Sequence, residues 1–227
     1  MKNITIIGTG YVGLVTGAGM SEFGNKVICA DIDSRKIGKL NSGLIPIYEP
    51  GLEEIIKRNF ENSRLFFSSD IESSIKKAEV VVIAVGTPQG KNGMADLRFV
   101  DSVVNTISRN LNSYKIICTK STVPIGTGKD IIKIINNNIH DKKMFDYVSN
   151  PEFLREGSAV KDFLWPDRVI IGTDSDKAYK IMCDIYRPLY INKNPIAHTS
   201  VETAEMIKYA SNSFLALKIS YINEIAN

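Results

Sequence analysis

Three observations predict a doubly wound, mostly parallel α/β sheet. Short apolar runs alternate with stretches of helical spacing along most of the chain. Several runs are apolar almost throughout, as expected of strands covered on both faces of a parallel sheet. A Gly-x-Gly-x-x-Gly stretch, Gly8-Thr9-Gly10-Tyr11-Val12-Gly13, joins the first run to the first helix, a turn such sheets use to approach a ligand.

The strands are expected at Ile4–Ile7, Lys26–Ala30, Leu65–Phe67, Val80–Val85, Ile116–Thr119, Tyr147–Val148 and Arg168–Ile171. Helical spacing falls at Val12–Phe23, Ser34–Leu40, Gly51–Asn59, Leu97–Asn110, Gly126–Asn138 and Asp176–Tyr186. From about Ser200 to Asn227 there is no Gly or Pro, and apolar residues occupy most sides of one long helix. Such a helix is expected to be buried between partners. It reaches the last residue without a stop signal, either as a fraying terminal helix or as a connecting helix cut through its middle. The organisation expected is a Rossmann-type domain over residues 1–198, then the start of a long connecting and dimerisation helix over 199–227.

Composition narrows the function. With 227 residues, 44% hydrophobic, the chain can form one large domain plus a piece of another. No apolar run approaches the ~18 residues needed to span a bilayer, and Ile4–Ile7 is too short for a signal peptide. A net charge of +3 with scattered lysines leaves no nucleic-acid footprint. Three cysteines, Cys29, Cys118 and Cys183, fit reduced thiols in the cytoplasm. No Cys or His pair has ligand spacing, so no metal site is expected.

Four motifs could carry chemistry. The glycines of Gly8–Gly13 permit a tight turn, close approach to a pyrophosphate and close helix–strand packing. The second strand ends at Asp31, near the expected spacing of roughly 20 residues. A carboxylate there accepts from adenosine ribose hydroxyls and repels a 2′-phosphate, which selects NAD over NADP. Gly86-Thr87-Pro88 and Ser121-Thr122-Val123-Pro124 follow strands, so both could line the ligand crevice, although either could be an ordinary turn. In Asn150-Pro151-Glu152-Phe153-Leu154-Arg155-Glu156-Gly157, Glu152 and Glu156 share a face if the segment is helical. They are then candidates for acid–base work, against a solvated turn. Glu205, Lys208 and Asn212 form one polar stripe on the last helix. Lys208 needs a partner there, either an anionic substrate or an ordinary salt bridge.

Together these motifs, with Tyr48–Leu52 (YEPGL), Lys120–Gly126 (KSTVPIG), Trp165–Gly172 (WPDRVIIG) and Lys208–Asn212 (KYASN), resemble the N-terminal half of the UDP-glucose/GDP-mannose dehydrogenases over essentially the whole chain. NPEFLREG followed by PDRVIIG is similar to the UDP-glucose branch. The resemblance implies two NAD-dependent oxidations of a sugar C6 alcohol to an acid, through a cysteine thiohemiacetal and thioester. It implies cofactor contacts from Gly8, Gly10, Tyr11, Val12, Gly13, Asp31, Lys36, Gly86, Thr87, Pro88, Ser121, Thr122 and Glu156. Thr122 would place the catalytic water and Glu152 would act on it as base. Lys208 would stabilise oxyanions, and Asn212 would contact substrate. Phe153 and Leu154 would line the substrate cleft, beside Glu152 and Glu156. The family's nucleophilic cysteine and catalytic aspartate lie beyond Asn227, so this chain alone is expected to be inactive. The implied partners are UDP-glucose and a second copy of the chain. GDP-mannose, a UDP-hexosamine, or a non-catalytic NAD-binding role stand as alternatives.

Overall fold

The computed structural model describes residues 1–91, 93–192 and 196–226. The elements run β1 (Asn3–Ile7), α1 (Tyr11–Glu22), β2 (Lys26–Ala30), α2 (Ser34–Asn41), α3 (Leu52–Glu61), β3 (Leu65–Ser68), α4 (Ile71–Lys77) and β4 (Val80–Ile83). They continue with α5 (Arg98–Arg109), β5 (Lys115–Thr119), α6 (Thr127–Asn138), β6 (Phe145–Ser149), α7 (Ala159–Leu164), β7 (Val169–Gly172), α8 (Asp176–Ile185), β8 (Ile196–Thr199) and α9 (Val201–Ala226).

Among the described residues these strands form one eight-stranded sheet in the order β3-β2-β1-β4-β5-β6-β7-β8. All neighbours are parallel except β6 and β7. The strand order reverses between β1 and β4, where a doubly wound sheet opens a crevice at the C-terminal strand ends.

The unbroken apolar runs have a physical cause. Along β1, β4 and β5, alternate side chains feed two separate cores. Ile4, Ile6, Val80, Val82, Ile116 and Cys118 face the side covered by α1, α3 and α8. Ile7, Val81, Ile83 and Ile117 face the side covered by α4, α5 and α6. Each fully buried aliphatic side chain contributes about 1.5–3 kcal/mol, so a period-2 pattern with no polar phase is the stable one.

Several expectations are corrected. The strand expected to reach Val85 ends at Ile83, although the Ala84 N–H still donates to the Ile7 carbonyl at 2.9 Å. β8, α4 and α7 were not expected. β8 has no apolar run, its side chains being half-buried or exposed throughout, and α4 and α7, with seven and six residues, complete fewer than two helical turns. Asn150–Gly157 is not helical, so Glu152 and Glu156 do not share a helix face. In α9 only Val201, Ala204, Glu205 and Lys208 are buried. Within the single chain its apolar residues from Phe214 to Ile225 are exposed, the surface that the expected burial between partners would cover. Asn227 lies outside the described residues.

Candidate functional site

The turn between β1 and α1 is shaped by contacts that only glycine allows. A Cβ on Gly13 would lie 1.9 Å from the Gly8 carbonyl oxygen, and one on Gly8, whose φ is +105°, 2.5 Å from the Ala84 oxygen. Gly10 differs. Its φ is −74°, which any residue can adopt, and a Cβ there would meet nothing within 4 Å. No packing among the described residues requires glycine at this position, so the space is available to a ligand. Gly10 is also the N-cap of α1 and offers no side-chain cap. The first N–H groups of α1, at Tyr11, Val12 and Gly13, are therefore placed to meet an anion.

Asp31, at the end of β2, reaches back to this turn. Its Oδ2 accepts from the Thr9 N–H at 2.8 Å and the Thr9 hydroxyl at 2.7 Å, and Lys36 Nζ lies 3.5 Å away. Among the described residues Oδ1 accepts from the Asp33 N–H alone, at 3.0 Å, which leaves it acceptor capacity for a ligand. Burial pushes the Asp31 carboxyl pKa up, but the Thr9, Asp33 and Lys36 interactions outweigh this and hold it below the usual value. Asp31 is an anion at neutral pH.

The loops after β4 and β5 complete the crevice. Thr87 Oγ1 donates to the Thr122 carbonyl at 2.7 Å, and Ser121 Oγ to the Val85 carbonyl at 2.7 Å. These hydroxyls tie the two loops together. Gly86, like Gly10, has open space where a Cβ would be, and Pro88 follows it in the same loop.

A second cavity, of about 490 Å³, is lined by Glu152, Phe153, Leu154, Lys208 and Asn212. Lys208 Nζ pairs with Glu152 Oε1 at 2.9 Å, so within the chain the partner that a buried lysine needs is Glu152. The other oxygen, Oε2, accepts from the Leu154 N–H at 2.6 Å. Phe153 is gripped on its ring by Arg168, at 4.4 Å from the centroid, and by Lys208, at 5.4 Å. Thr122 and Glu156 do not line this cavity. Thr122 stays with the crevice, and Glu156 is exposed.

Two functional-looking residues escaped the sequence reading. Lys120 is buried in the cavity wall, with Nζ 3.2 Å from Asn150 Oδ1 and 3.4 Å from the Tyr186 hydroxyl. Burial pushes its pKa below the usual lysine value. The KSTVPIG match contained Lys120, but nothing local marks it as inward-facing. Glu49 is buried and accepts from the Tyr11 hydroxyl at 2.5 Å, the Gly157 N–H at 2.8 Å and the Ala159 N–H at 2.7 Å. Its partners are up to 110 residues away, so no sequence window could reveal them.

A mostly parallel sheet with a glycine turn and an uncapped helix N-terminus at its switch point, and a carboxylate at the end of β2 bonded to that turn, defines a dinucleotide-binding domain. Residues 2–190 match the NAD binding domain of the UDP-glucose/GDP-mannose dehydrogenase family, and residues 202–227 match the start of its central domain. The chain belongs to that family, and NAD is the cofactor of this domain. It is 51% identical to the UDP-glucose 6-dehydrogenase TuaD of Bacillus subtilis, covering 100% of this chain and 49% of that protein. It is 47% identical to a UDP-glucose 6-dehydrogenase of Rhizobium meliloti, covering 99% and 52%. A solved UDP-glucose dehydrogenase from Pyrobaculum islandicum superposes with a TM-score of 0.94 at 38% identity, covering 99% of this chain and 52% of the other. A GDP-mannose dehydrogenase from Pseudomonas aeruginosa superposes at 0.93 and 36%, covering 98% and 52%. The chain spans about half the length of the curated relatives it matches.

The crevice fits NAD on the chain's own geometry. The unfilled space at Gly10 and the uncapped start of α1 suit a pyrophosphate, and the free acceptor capacity of Asp31 suits a ribose hydroxyl.

Proposed function

We propose that this chain is the cofactor half of an enzyme that oxidises UDP-glucose to UDP-glucuronate in two NAD-dependent steps, in the cytoplasm and as a homodimer. Residues 1–198 form the NAD-binding domain, and 199–227 begin the helix that connects it to the remainder and builds the dimer. The observation that carries this reading is the Glu152–Lys208 pair. It unites the NPEFLREG segment with the KYASN helix in one cavity beside the cofactor crevice.

Bound NAD supplies the hydride acceptor for both oxidations. Gly8, Gly10, Tyr11, Val12 and Gly13 receive the pyrophosphate. Asp31 and Lys36 hold the adenosine end, and Gly86, Thr87, Pro88, Ser121 and Thr122 wall the crevice. Glu156 stands toward the nicotinamide end. Glu152 takes the proton from the attacking water, and Thr122 orients that water. The Lys208 ammonium, already paired to Glu152, also stabilises negative charge developing on a substrate oxygen. Asn212, one turn further along α9, contacts the sugar, and Phe153 and Leu154 present the cleft wall.

The distinction within the family rests on the 51% and 47% identical relatives, both named UDP-glucose 6-dehydrogenases. The test is NADH formation by the product of the reading frame that contains this chain. It should be assayed with UDP-glucose, GDP-mannose and UDP-N-acetylmannosamine, with products identified by mass spectrometry. UDP-glucose should be oxidised fastest, with two NADH per acid formed. Preference for either of the other sugars would overturn the substrate assignment.

A further inference from the structure

Glu49 has no part in the assignments above, yet it joins the two halves of the site. It lies in the loop before α3 and is only 5% exposed. Its Oε2 accepts from the Tyr11 phenol and the Gly157 N–H, and its Oε1 from the Ala159 N–H. The phenol oxygen also lies 3.4 Å from the Arg155 carbonyl oxygen. Tyr11 opens α1, so its backbone stands at the helix N-terminus that faces the cofactor. Gly157 and Ala159 follow directly on the segment that carries Glu152 and Glu156. That segment has no helix or strand pairing of its own, so its shape depends on anchors of this kind. A buried carboxylate with three short donors is a strong, directional anchor.

We infer that Tyr11 and Glu49 are positioning residues: they fix the Glu152–Gly157 segment against the N-terminus of α1 so that the nicotinamide half of NAD meets a preformed wall. This rests on the reading that Glu156 and its neighbours stand at the nicotinamide end. Preforming a wall removes the ordering cost that binding would otherwise carry. The adenosine half contacts other strand ends, at Asp31 and Lys36, and does not draw on this anchor.

The experiment compares NADH, followed by its fluorescence, with ADP, followed by calorimetry, on the 227-residue chain and on Tyr11→Phe and Glu49→Gln. Tyr11→Phe removes only the phenol oxygen and leaves both backbone donors on Glu49, so it should fold even if Glu49→Gln is compromised. Losing a hydrogen bond to a charged group should weaken NADH about tenfold in either variant. ADP affinity should stay within about twofold, because both variants keep the Tyr11 backbone N–H that meets the diphosphate and ADP does not reach the segment. Equal losses for NADH and ADP, or no loss for either, would overturn the inference. A wild-type chain that binds NADH no more tightly than ADP would sink the nicotinamide-end reading and the inference with it. Unchanged variants beside a wild type that prefers NADH would sink the inference alone.

Discussion

The Asp31 carboxylate is held in place by the chain itself, with Thr9 donating twice and Lys36 close by. A side chain fixed in this way cannot swing aside for a 2′-phosphate, and two like charges forced together cost several kcal/mol. NADH should therefore bind at least about tenfold more tightly than NADPH in a fluorescence titration; equal affinities would remove Asp31 from the cofactor set. Its position beside the glycine turn was legible because it depends on one spacing, from that turn to the end of the next strand. Glu49 was not legible, because its role depends on where the chain returns after more than a hundred residues. Its chemistry leaves a trace in acid. Burial pushes its carboxyl pKa up, but the donors from Tyr11, Gly157 and Ala159 pull harder, and the net value lies below the ordinary 4.5. A depressed folded-state pKa gives stability that is complete above the unfolded value and is lost as pH falls through the folded one. Urea midpoints should thus fall as pH drops below about 4.5, and less steeply in Glu49→Gln than in the wild type. Parallel profiles for the two proteins would show that Glu49 does not ionise as described.

At the scale of elements, α9 does more than continue the chain. Gly126, the N-cap of α6, has no side chain to satisfy the first N–H groups of that helix. Glu205 supplies the missing acceptor from α9. It is buried, and its two oxygens take the Gly126 and Gly128 N–H groups at 2.7 Å each. One turn later Lys208 meets Glu152. The polar stripe read from sequence is therefore divided between capping and the cavity. Glu205→Gln keeps the shape but turns one acceptor into a donor that faces an N–H. Leaving a buried donor unmatched costs about 1–3 kcal/mol, and chemical denaturation should register a loss of that size. No change in midpoint would mean that water serves the α6 terminus equally well. The long elements were legible from sequence because a helix such as α5 and a strand such as β5 repeat their period several times. β8 was not, because its side chains are half-buried or exposed throughout and form no apolar run, and α7 was not, because six residues do not complete two helical turns. For Asn150–Gly157 the carboxylate spacing left a helix face and a turn both open; the segment is an irregular loop ending in a turn, bound by Glu49 and Lys208 from distant parts of the chain.

For the whole molecule, the second half of α9 sets the terms. Phe214, Leu215, Leu217, Ile219, Tyr221, Ile222 and Ile225 are each more than half exposed, a larger apolar surface than a lone soluble chain ordinarily carries. A second copy could cover it symmetrically, and sedimentation velocity should show a dimer or larger species that Leu217→Asp reduces to monomer. A wild type that stays monomeric at high concentration would contradict this. The same accounting of surfaces bears on catalysis. The cofactor crevice is built from strand ends and loops within residues 1–157, so a polypeptide of residues 1–227 should bind NADH unaided. On the proposed two-step route, oxidation through to the acid uses a thiolate beside the sugar, and none of Cys29, Cys118 and Cys183 is placed to supply it. Cys29 and Cys118 are fully buried within strands, where burial pushes both thiol pKa values up to about 12. Cys183 lies on α8 and does not line the cavity that holds Glu152. The 227-residue polypeptide should therefore saturate with NADH, yet yield no UDP-glucuronate by mass spectrometry when supplied with NAD and UDP-glucose. Detection of the acid would make Cys118 the first candidate nucleophile, and Cys118→Ala, which should otherwise leave NADH binding untouched, would then abolish the product.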